Sequence, residues 1–306
     1  MPAKAARVGG LFTALITPFD AKGEVDEDAL ASLVKFQLSK RVDGLFVCGS
    51  TGLGPMLSEE ERNRVVSVVA SEAKAGVPVV AQVGAADTSS SVRLAKHAEK
   101  AGVDAVASLT PYYYKLNEAS IAKHFETISE SVSVPLFAYN IPQFTGNNLQ
   151  PKVVGDLARR KVVVGIKDSS RDFLQVEGIL DAVPEEFVVM NGTEEYALFA
   201  MMVGADGVVS GGANAFPEIF ASMVASYKRG DQSGALEAQR KILAYKEAVK
   251  EAPIAAYYEI LGQRGVSCGV PRAPFLPLGG QARGRISSYL RGANLGQREL
   301  SRHRRD

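Results

Sequence analysis

A lysine follows an apolar segment that has the pattern of a buried strand. Residues 162–166 read Val-Val-Val-Gly-Ile, and Lys167 and Asp168 come directly after them. A strand that is apolar on both faces belongs in a parallel sheet covered on both sides, and low-dielectric surroundings favour a neutral amine. Neutral amines attack carbonyl carbons and form Schiff bases. The segment predicts a nucleophilic lysine; the alternative is a lysine whose ammonium reaches solvent at a strand end.

Polar side chains follow several other apolar segments in the same way. The candidates for binding or proton transfer are Gly49, Ser50, Thr51, Tyr113, Tyr139, Ser169, Gly192, Glu194 and Ser210. The turn at 49–52 offers hydroxyls and backbone N–H groups, which suit a carboxylate. Taken singly, each candidate is a common turn residue or a core tyrosine with a solvated hydroxyl. Together, an amine, two phenols and a carboxylate-binding turn predict carbonyl chemistry through an imine.

Composition narrows the class of protein. Of the 306 residues 46% are apolar, and the formal net charge is +1, so the charge does not favour nucleic acid or an acidic membrane as a partner. No apolar stretch reaches the roughly 18 residues that span a bilayer. The N-terminal segment lacks the apolar region of a signal peptide. A cytoplasmic enzyme or binding protein is expected.

Histidine and cysteine are scarce. The chain has His97, His124 and His303, with Cys48 and Cys268. The histidines have no partner at ligand spacing, so no metal site is expected, and two distant cysteines do not indicate a disulfide framework. The chemistry must therefore use lysine, tyrosine, hydroxyl groups, carboxylates and the backbone.

Eight short apolar segments alternate with amphipathic ones. The predicted strands are 11–16, 44–48, 79–83, 105–109, 135–139, 162–166, 187–190 and 207–209. Ser58 and Glu61 form a capping-box pattern before one helix, and Thr88 is a candidate cap of the next. Eight strand–helix units predict an α/β fold, the (β/α)8 TIM barrel. The alternative, a doubly wound open sheet, would normally carry a glycine-rich nucleotide motif after a strand, and the sequence has none.

More helical sequence follows the eighth strand than one barrel helix needs. We therefore expect residues 1–225 to form the catalytic barrel and residues 226–306 to form a C-terminal helical extension with a charged tail. The active site of such a barrel lies at the C-terminal ends of its strands, which is where the candidate residues fall.

Four motifs follow one another along the chain: G-S-T-G at 49–52, T-P-Y-Y at 110–113, Y-N-I-P at 139–142 and G-I-K-D at 165–168. In order and spacing they resemble the dihydrodipicolinate synthase / N-acetylneuraminate lyase superfamily, over essentially the whole chain. The resemblance implies a class I pyruvate-dependent aldolase or lyase on a (β/α)8 barrel with a helical extension. It also implies a homotetramer built as a dimer of dimers, and catalysis through an imine with no metal or added cofactor.

Carried over by motif, the resemblance assigns roles to five residues. Lys167 would capture the C2 carbonyl of pyruvate as a Schiff base, and Tyr139 would shuttle a proton to or from the aldol oxygen. Ser50 and Thr51 would hold the pyruvate carboxylate. Tyr113 would complete the relay of hydroxyl groups.

Two positions separate subgroups of this superfamily. The synthases carry an arginine two residues after the proline of the Y-N-x-P motif, where it meets the carboxylate of aspartate semialdehyde. This chain has Phe144 there, and without the guanidinium the bidentate clamp is missing. Leu53 stands where most synthases and neuraminate lyases have glutamate. Both positions argue against the synthase.

The string GSTGLGPMLS at 49–58 instead resembles the archaeal-type 2-keto-3-deoxygluconate aldolases, as do P-Y-Y-Y at 111–114 and V-P-R-A-P at 270–274. This implies an aldehyde-lyase that converts 2-keto-3-deoxy sugar acids to pyruvate and an aldehyde such as glyceraldehyde. It further implies that a set of residues lines the polyol end of the pocket, with the acidic one accepting bonds from sugar hydroxyls. The set is Ser169, Gly192, Glu194 and Ser210.

Two kinds of alternative stay open. Another imine-forming member would change the outcome of the reaction: a neuraminate-lyase-like enzyme, a keto-deoxy sugar acid dehydratase or dihydrodipicolinate synthase. The remaining alternative is a barrel that binds a keto acid without turnover, and such a protein would not need both the amine and the phenol.

Overall fold

Eight parallel strands close into a barrel in the computed structural model of the protein, which describes residues 8–73 and 76–292. The strands are β1 (Gly10–Ala14), β2 (Gly44–Val47), β3 (Val79–Gln82), β4 (Ala105–Leu109), β5 (Leu136–Asn140), β6 (Gly165–Asp168), β7 (Val188–Asn191) and β8 (Gly207–Ser210). Each strand pairs with the next along the chain, and β8 pairs with β1 to close the barrel. The predicted (β/α)8 barrel is confirmed.

Helices connect the strands and continue beyond the last one. They are α1 (Glu27–Ser39), α2 (Glu59–Ala73), α3 (Thr88–Ala101), α4 (Glu118–Ser131), α5 (Pro142–Thr145), α6 (Pro151–Arg159), α7 (Phe173–Ala182), α8 (Ala197–Met202), α9 (Pro217–Lys228), α10 (Gln232–Val249), α11 (Pro253–Gln263) and α12 (Gly280–Gly292). None of the helices within the described ranges is long and apolar enough to cross a membrane.

Helix α9 follows β8, and α10, α11 and α12 come after it. The boundary predicted at residue 225 falls inside α9, which ends at Lys228, and α10 packs along α9. The division into a barrel and an extension stays a proposal. The charged tail at 296–306 lies outside the described residues.

Two groups of buried side chains fill the fold. The smaller group lies inside the barrel and includes Phe12, Phe46, Phe137 and Tyr139. The larger group lies between the strands and the helices around them. Successive side chains of a strand point to opposite faces, so each strand contributes to both groups. This two-sided burial explains why the strands have the sequence pattern of continuous apolar runs.

The helix-start signals in the sequence are accurate to within a residue. At α2 the predicted capping box forms: Ser58 N–H donates to Glu61 Oε2 at 2.8 Å, and Glu61 N–H donates to Ser58 Oγ at 3.2 Å. At α3 the predicted cap is wrong by one position. Asp87 has extended backbone and accepts from Ser90 N–H at 2.8 Å, whereas Thr88 is already the first helical residue.

Strand β6 begins later than the apolar run suggests. The predicted strand ends at 166, but β6 spans Gly165–Asp168 because its register is set by β5, where Phe137 lies opposite Gly165 and Tyr139 opposite Lys167. Lys167 is therefore inside the strand and not after it. The Lys167 side chain therefore extends from backbone that is hydrogen-bonded to β5.

Candidate active site

Lys167 and Tyr139 lie side by side in the interior of the barrel. They are partners in the β5–β6 register, and side chains at paired positions of neighbouring strands point to the same face. Both are deeply buried, with exposed fractions of 6% for Lys167 and 2% for Tyr139. The sequence predicted that these two groups meet, and the strand register brings them together.

The amine of Lys167 sits between two aromatic rings. Its Nζ lies 4.2 Å from the ring centroid of Phe46 and 4.1 Å from that of Tyr139. The two rings meet edge to face with centroids 5.5 Å apart. Aromatic faces attract an ammonium, yet across the described residues the amine forms no ion pair with a carboxylate. The two rings thus hold the amine of Lys167, and no carboxylate of the described residues pairs with it.

The turn after β2 contributes hydroxyls and backbone donors. Ser50 Oγ lies 3.3 Å from Tyr139 Oη, within hydrogen-bond distance. The turn is closed by Gly54 N–H donating to Gly49 O at 3.0 Å and by Leu53 N–H donating to Ser50 O at 3.2 Å. The N–H groups of Ser50 and Thr51 have no acceptor among residues 8–73 and 76–292. Two free N–H groups beside hydroxyls form a suitable site for a carboxylate.

A cleft of about 890 Å³ opens above these groups. It brings together seven of the ten candidate residues with side chains from the extension. The seven are Ser50, Thr51, Tyr139, Lys167, Ser169, Gly192 and Glu194. Gly49 and Ser210 do not line the cleft. The Gly49 carbonyl closes the turn after β2, and the Ser210 hydroxyl donates to Glu194. Two further segments, 252–255 and 274–279, also line the cleft.

Gly192 allows the loops after β6 and β7 to meet. A Cβ at this position would overlap the Oγ of Ser169 and crowd the carbonyl of Asp168. The Gly192 N–H donates to that same carbonyl at 2.6 Å. The glycine is therefore required for the close approach that places Ser169 on the cleft wall, independently of any contact with a ligand.

Glu194 is held entirely by its own chain. Its Oε1 accepts from Ser210 Oγ and from Gly212 N–H, both at 2.7 Å. Its Oε2 accepts from Tyr245 Oη and from Lys246 Nζ. A carboxylate has about four acceptor sites, so all are used, and the expectation that Glu194 accepts bonds from sugar hydroxyls does not fit. It anchors the loop after β8 instead.

The electrostatics of Glu194 agree with this structural role. Burial raises its pKa, but the Lys246 ammonium, the Tyr245 hydroxyl and the Gly212 and Ser210 donors outweigh burial and leave the pKa below its ordinary value. The carboxylate is therefore ionised at neutral pH, as a four-donor site requires.

Tyr113 does not reach the cleft of its own chain. Its side chain is 86% exposed, its φ is +81°, and its ring packs edge to face on Tyr114 with centroids 5.1 Å apart. A bulky residue with positive φ is a strained conformation that the surrounding fold has to hold. Within one chain, the predicted relay from Tyr139 through Ser50 thus stops before Tyr113.

Several cleft residues were not anticipated from the sequence. They are Gln143, Arg171, Thr193, Glu195, Lys246, Glu251 and Tyr257. Gln143 Nε2 donates to Ser169 O at 2.9 Å, and Lys246 lies 3.0 Å from Glu195. The first four could have been found by extending each strand end by two to four positions. Lys246, Glu251 and Tyr257, from α10, α11 and the connection between them, had no local signal, because only the packing of these elements brings them over the barrel.

Comparison with known proteins matches this architecture. The profile of the Dihydrodipicolinate synthetase family matches residues 7–293. The chain belongs to that family. A 4-hydroxy-tetrahydrodipicolinate synthase from Maridesulfovibrio salexigens is 34% identical over 289 residues, which cover 94% of this chain and 98% of the relative.

Solved structures of the family superpose closely. YagE, a prophage protein from E. coli K12 solved in complex with pyruvate, has a TM-score of 0.89 and 26% identity, covering 94% of this chain and 99% of that one. CdNal from Clostridium difficile, solved in complex with mannosamine, has a TM-score of 0.89 and 28% identity, covering 93% and 99%. The superfamily predicted from the four motifs is confirmed.

The family fixes the general chemistry. Its enzymes form a Schiff base between pyruvate and a lysine and use no metal or cofactor. The described part of the chain has no group of three or more His, Cys, Asp or Glu side chains placed to hold a metal ion. The relative from M. salexigens is named as a synthase.

Proposed function

We propose that this enzyme makes and breaks carbon–carbon bonds between pyruvate and an aldehyde, with pyruvate carried as an imine on Lys167. The observation that supports this most directly is the buried amine of Lys167, 4.1 Å from the ring of Tyr139 and without a counter-ion in the described chain. A lysine used only for structure would be expected to pair with a carboxylate or reach solvent. This one points into a cleft large enough for a small substrate.

The reaction needs only groups that line the cleft. The Lys167 amine forms a C–N bond to C2 of pyruvate, and the carbonyl oxygen leaves as water. Tyr139 Oη, having given its proton to the departing water, takes the proton of a C3–H bond, and the protonated imine accepts the electron pair of that bond to give an enamine. The enamine C3 bonds to the aldehyde carbon while the aldehyde oxygen takes a proton from Tyr139 Oη. Hydrolysis then returns the amine, and cleavage runs through the same steps in reverse.

The turn at 49–52 has the role of orientation in this proposal. With the carboxylate of pyruvate on the free N–H groups of Ser50 and Thr51, C2 faces the amine and C3 faces the open cleft. Holding both ends of a three-carbon substrate fixes which bond can align with the imine. Ser50 Oγ, 3.3 Å from Tyr139 Oη, connects the carboxylate site to the proton shuttle.

The names of the relatives favour aspartate semialdehyde as the aldehyde, which makes the synthase the first candidate. One observation favours a second candidate, cleavage of 2-keto-3-deoxy sugar acids to pyruvate and glyceraldehyde. Phe144, which replaces the arginine of the synthases, is 67% exposed and lines the cleft, so no guanidinium stands at that place. The two candidates share every step up to the enamine and differ in the acceptor.

Borohydride trapping followed by mass spectrometry tests the proposal. We expect a pyruvyl adduct on the Lys167 peptide when the protein is reduced in the presence of pyruvate. Pyruvate consumption with aspartate semialdehyde would support the synthase. A pyruvyl adduct formed when racemic 2-keto-3-deoxygluconate is added without pyruvate would support the aldolase. The absence of an adduct with either keto acid would contradict imine catalysis and leave a keto-acid-binding barrel.

The position of Tyr113 supports a homo-oligomer, with a homotetramer as the proposed form. If Tyr113 belongs to the relay of hydroxyls, it can do so only in the cleft of a second copy, because it is exposed and does not line its own. The exposed Tyr113–Tyr114 pair provides aromatic surface of the kind found at the centres of protein interfaces. A symmetric pair of chains would then exchange this residue reciprocally.

Complementation between inactive variants tests this exchange. Lys167→Ala and Tyr113→Phe should each be severely impaired alone, but subunits mixed under exchange conditions should recover activity. Mixed pairs contain one cleft with both wild-type groups, so random pairing restores about a quarter of wild-type activity. Mixing Lys167→Ala with Tyr139→Phe is the negative control. Both groups belong to the cleft of one chain, so no mixed pair contains an intact cleft and no activity should return. Recovery in that control, or none in the first mixture, would contradict a shared site.

A further inference from the structure

One cationic side chain of the cleft has no ion-pair partner among the described residues. The charged residues that line the cleft are Lys167, Arg171, Glu194, Glu195, Lys246 and Glu251. Lys246 lies 3.3 Å from Glu194 and 3.0 Å from Glu195, and Glu251 pairs with Arg285 at 2.5 Å. The Lys167 amine is the nucleophile of the proposed reaction. Arg171 remains, and within residues 8–73 and 76–292 it forms no ion pair.

The backbone of Arg171 is unusual for an arginine. Its φ is +64°, in the left-handed region that disfavours side chains. Arg41 and Lys161 also have positive φ, but each lies just after a helix, where their N–H groups donate to Leu38 O and Ala158 O, a common way to end a helix. Arg171 precedes α7, so helix termination does not explain it. Strain of this kind concentrates at functional sites.

A hydrogen-bonded network holds the turn that carries Arg171. Ser170 Oγ donates to Asp168 Oδ2 at 2.5 Å, and Asp172 N–H donates to Ser170 Oγ at 3.2 Å. The other oxygen of Asp168 accepts from Asn140 Nδ2 at 2.8 Å and Gln175 Nε2 at 2.9 Å. The turn is thus fixed to the strand that carries Lys167. Its geometry is determined before any ligand binds.

The neighbouring acid is already engaged. Asp172 is the cap of α7, and its Oδ1 accepts from Leu174 N–H at 3.0 Å and from Gln175 N–H at 3.4 Å. Asp168 is buried and bonded on both oxygens. The guanidinium is therefore left for a group that enters the cleft.

We infer that Arg171 binds an anionic group, a carboxylate or a phosphate, on the aldehyde partner of the reaction. The inference rests on the proposed function, since pyruvate must occupy Lys167 and the turn at 49–52 for the aldehyde to reach the rest of the cleft. A planar guanidinium presents paired donors that match both anions. Arg171 would supply, from the loop after β6, the charge that Phe144 does not supply from the loop after β5.

Substitution at 171 combined with a set of aldehydes tests this role. The probes are succinic semialdehyde for a carboxylate, glyceraldehyde 3-phosphate for a phosphate, and butanal and glyceraldehyde as neutral partners. Arg171→Gly suits a positive φ, so its fold is expected to be at least as stable. We expect kcat/KM for the anionic aldehyde to fall about 10- to 100-fold in this variant, mainly through KM. The values for neutral aldehydes should change less than about twofold.

Two controls separate recognition from structure. Arg171→Lys keeps the charge but loses the planar fork, so it should retain part of the preference for anionic aldehydes. Borohydride trapping with pyruvate should label Lys167 equally in the wild type and both variants. The better of the two anionic probes in the wild type identifies carboxylate or phosphate as the natural group.

The inference and the proposed function fail in different ways. A normal pyruvate adduct with equal losses for charged and neutral aldehydes in Arg171→Gly would overturn the role of Arg171 alone. The same holds if the wild type uses butanal as well as succinic semialdehyde and glyceraldehyde as well as its phosphate. A wild-type protein that gives no adduct would overturn the proposed function, and the inference with it.

Discussion

Replacement of Lys167 by alanine is expected to remove covalent capture of pyruvate and nearly all turnover. Among the described residues, no other amine lies between the rings of Phe46 and Tyr139. Loss of a covalent nucleophile lowers kcat by about 10⁴-fold or more. The measurement is kcat for pyruvate consumption, together with mass spectrometry of the borohydride-reduced protein.

The controls for this variant address folding and selectivity. Lys167→Met keeps most of the buried volume, so a cavity would not explain an inactive protein. Lys152→Ala removes an exposed lysine of α6 and should leave both adduct and rate unchanged. Turnover above about one tenth of wild type in Lys167→Ala would exclude the imine mechanism, because residual catalysis by the rest of a site is far smaller.

Replacement of Tyr139 by phenylalanine should uncouple imine formation from turnover. The variant keeps the ring that packs edge to face on Phe46 and loses only the hydroxyl beside Ser50 Oγ. Removal of a general acid–base group lowers the rate by about 10²- to 10⁴-fold. The borohydride adduct on Lys167 should still form, since the amine and the carboxylate-binding turn are intact.

Tyr227→Phe is the matched control. This variant also loses one hydroxyl, which in the wild type donates to Met201 O at 2.8 Å. Tyr227 lies on α9 and does not line the cleft. Its rate should stay close to wild type. An unchanged kcat in Tyr139→Phe would place the proton shuttle on another group, and a lost adduct would mean that the phenol acts before the imine is complete.

The barrel was predictable because its signals are local. Each buried strand appears as a short apolar run, and the capping box of Ser58 and Glu61 marks a helix start within one turn. The exact start of β6 was not predictable, since it depends on pairing with β5. Local periodicity shows that a strand exists, and its neighbour determines where it begins.

The site was predictable only in its centre. Lys167, Tyr139 and Ser50 follow from motifs at strand ends, and the strand geometry brings them together. Tyr113 and Glu194 show what sequence alone leaves open. The spacing of Tyr113 places it after β4 but does not show that its side chain turns outward. The four donors to Glu194 come from the end of β8, from the turn directly after it and from α10, which are distant from Glu194 in sequence.

Lys167 and Asp168 are adjacent in the sequence but face opposite sides of β6. The lysine points into the barrel, whereas the aspartate points outward and links β5, the Arg171 turn and α7. Burial outweighs these hydrogen bonds and raises the pKa of Asp168. The hydrogen bonds hold the Asp168 side chain in place. Reactivity and scaffold are thus divided between the two faces of one strand. New substrate preferences can evolve by changes around the cleft while the hydrogen bonds of Asp168 on the outer face of β6 stay unchanged.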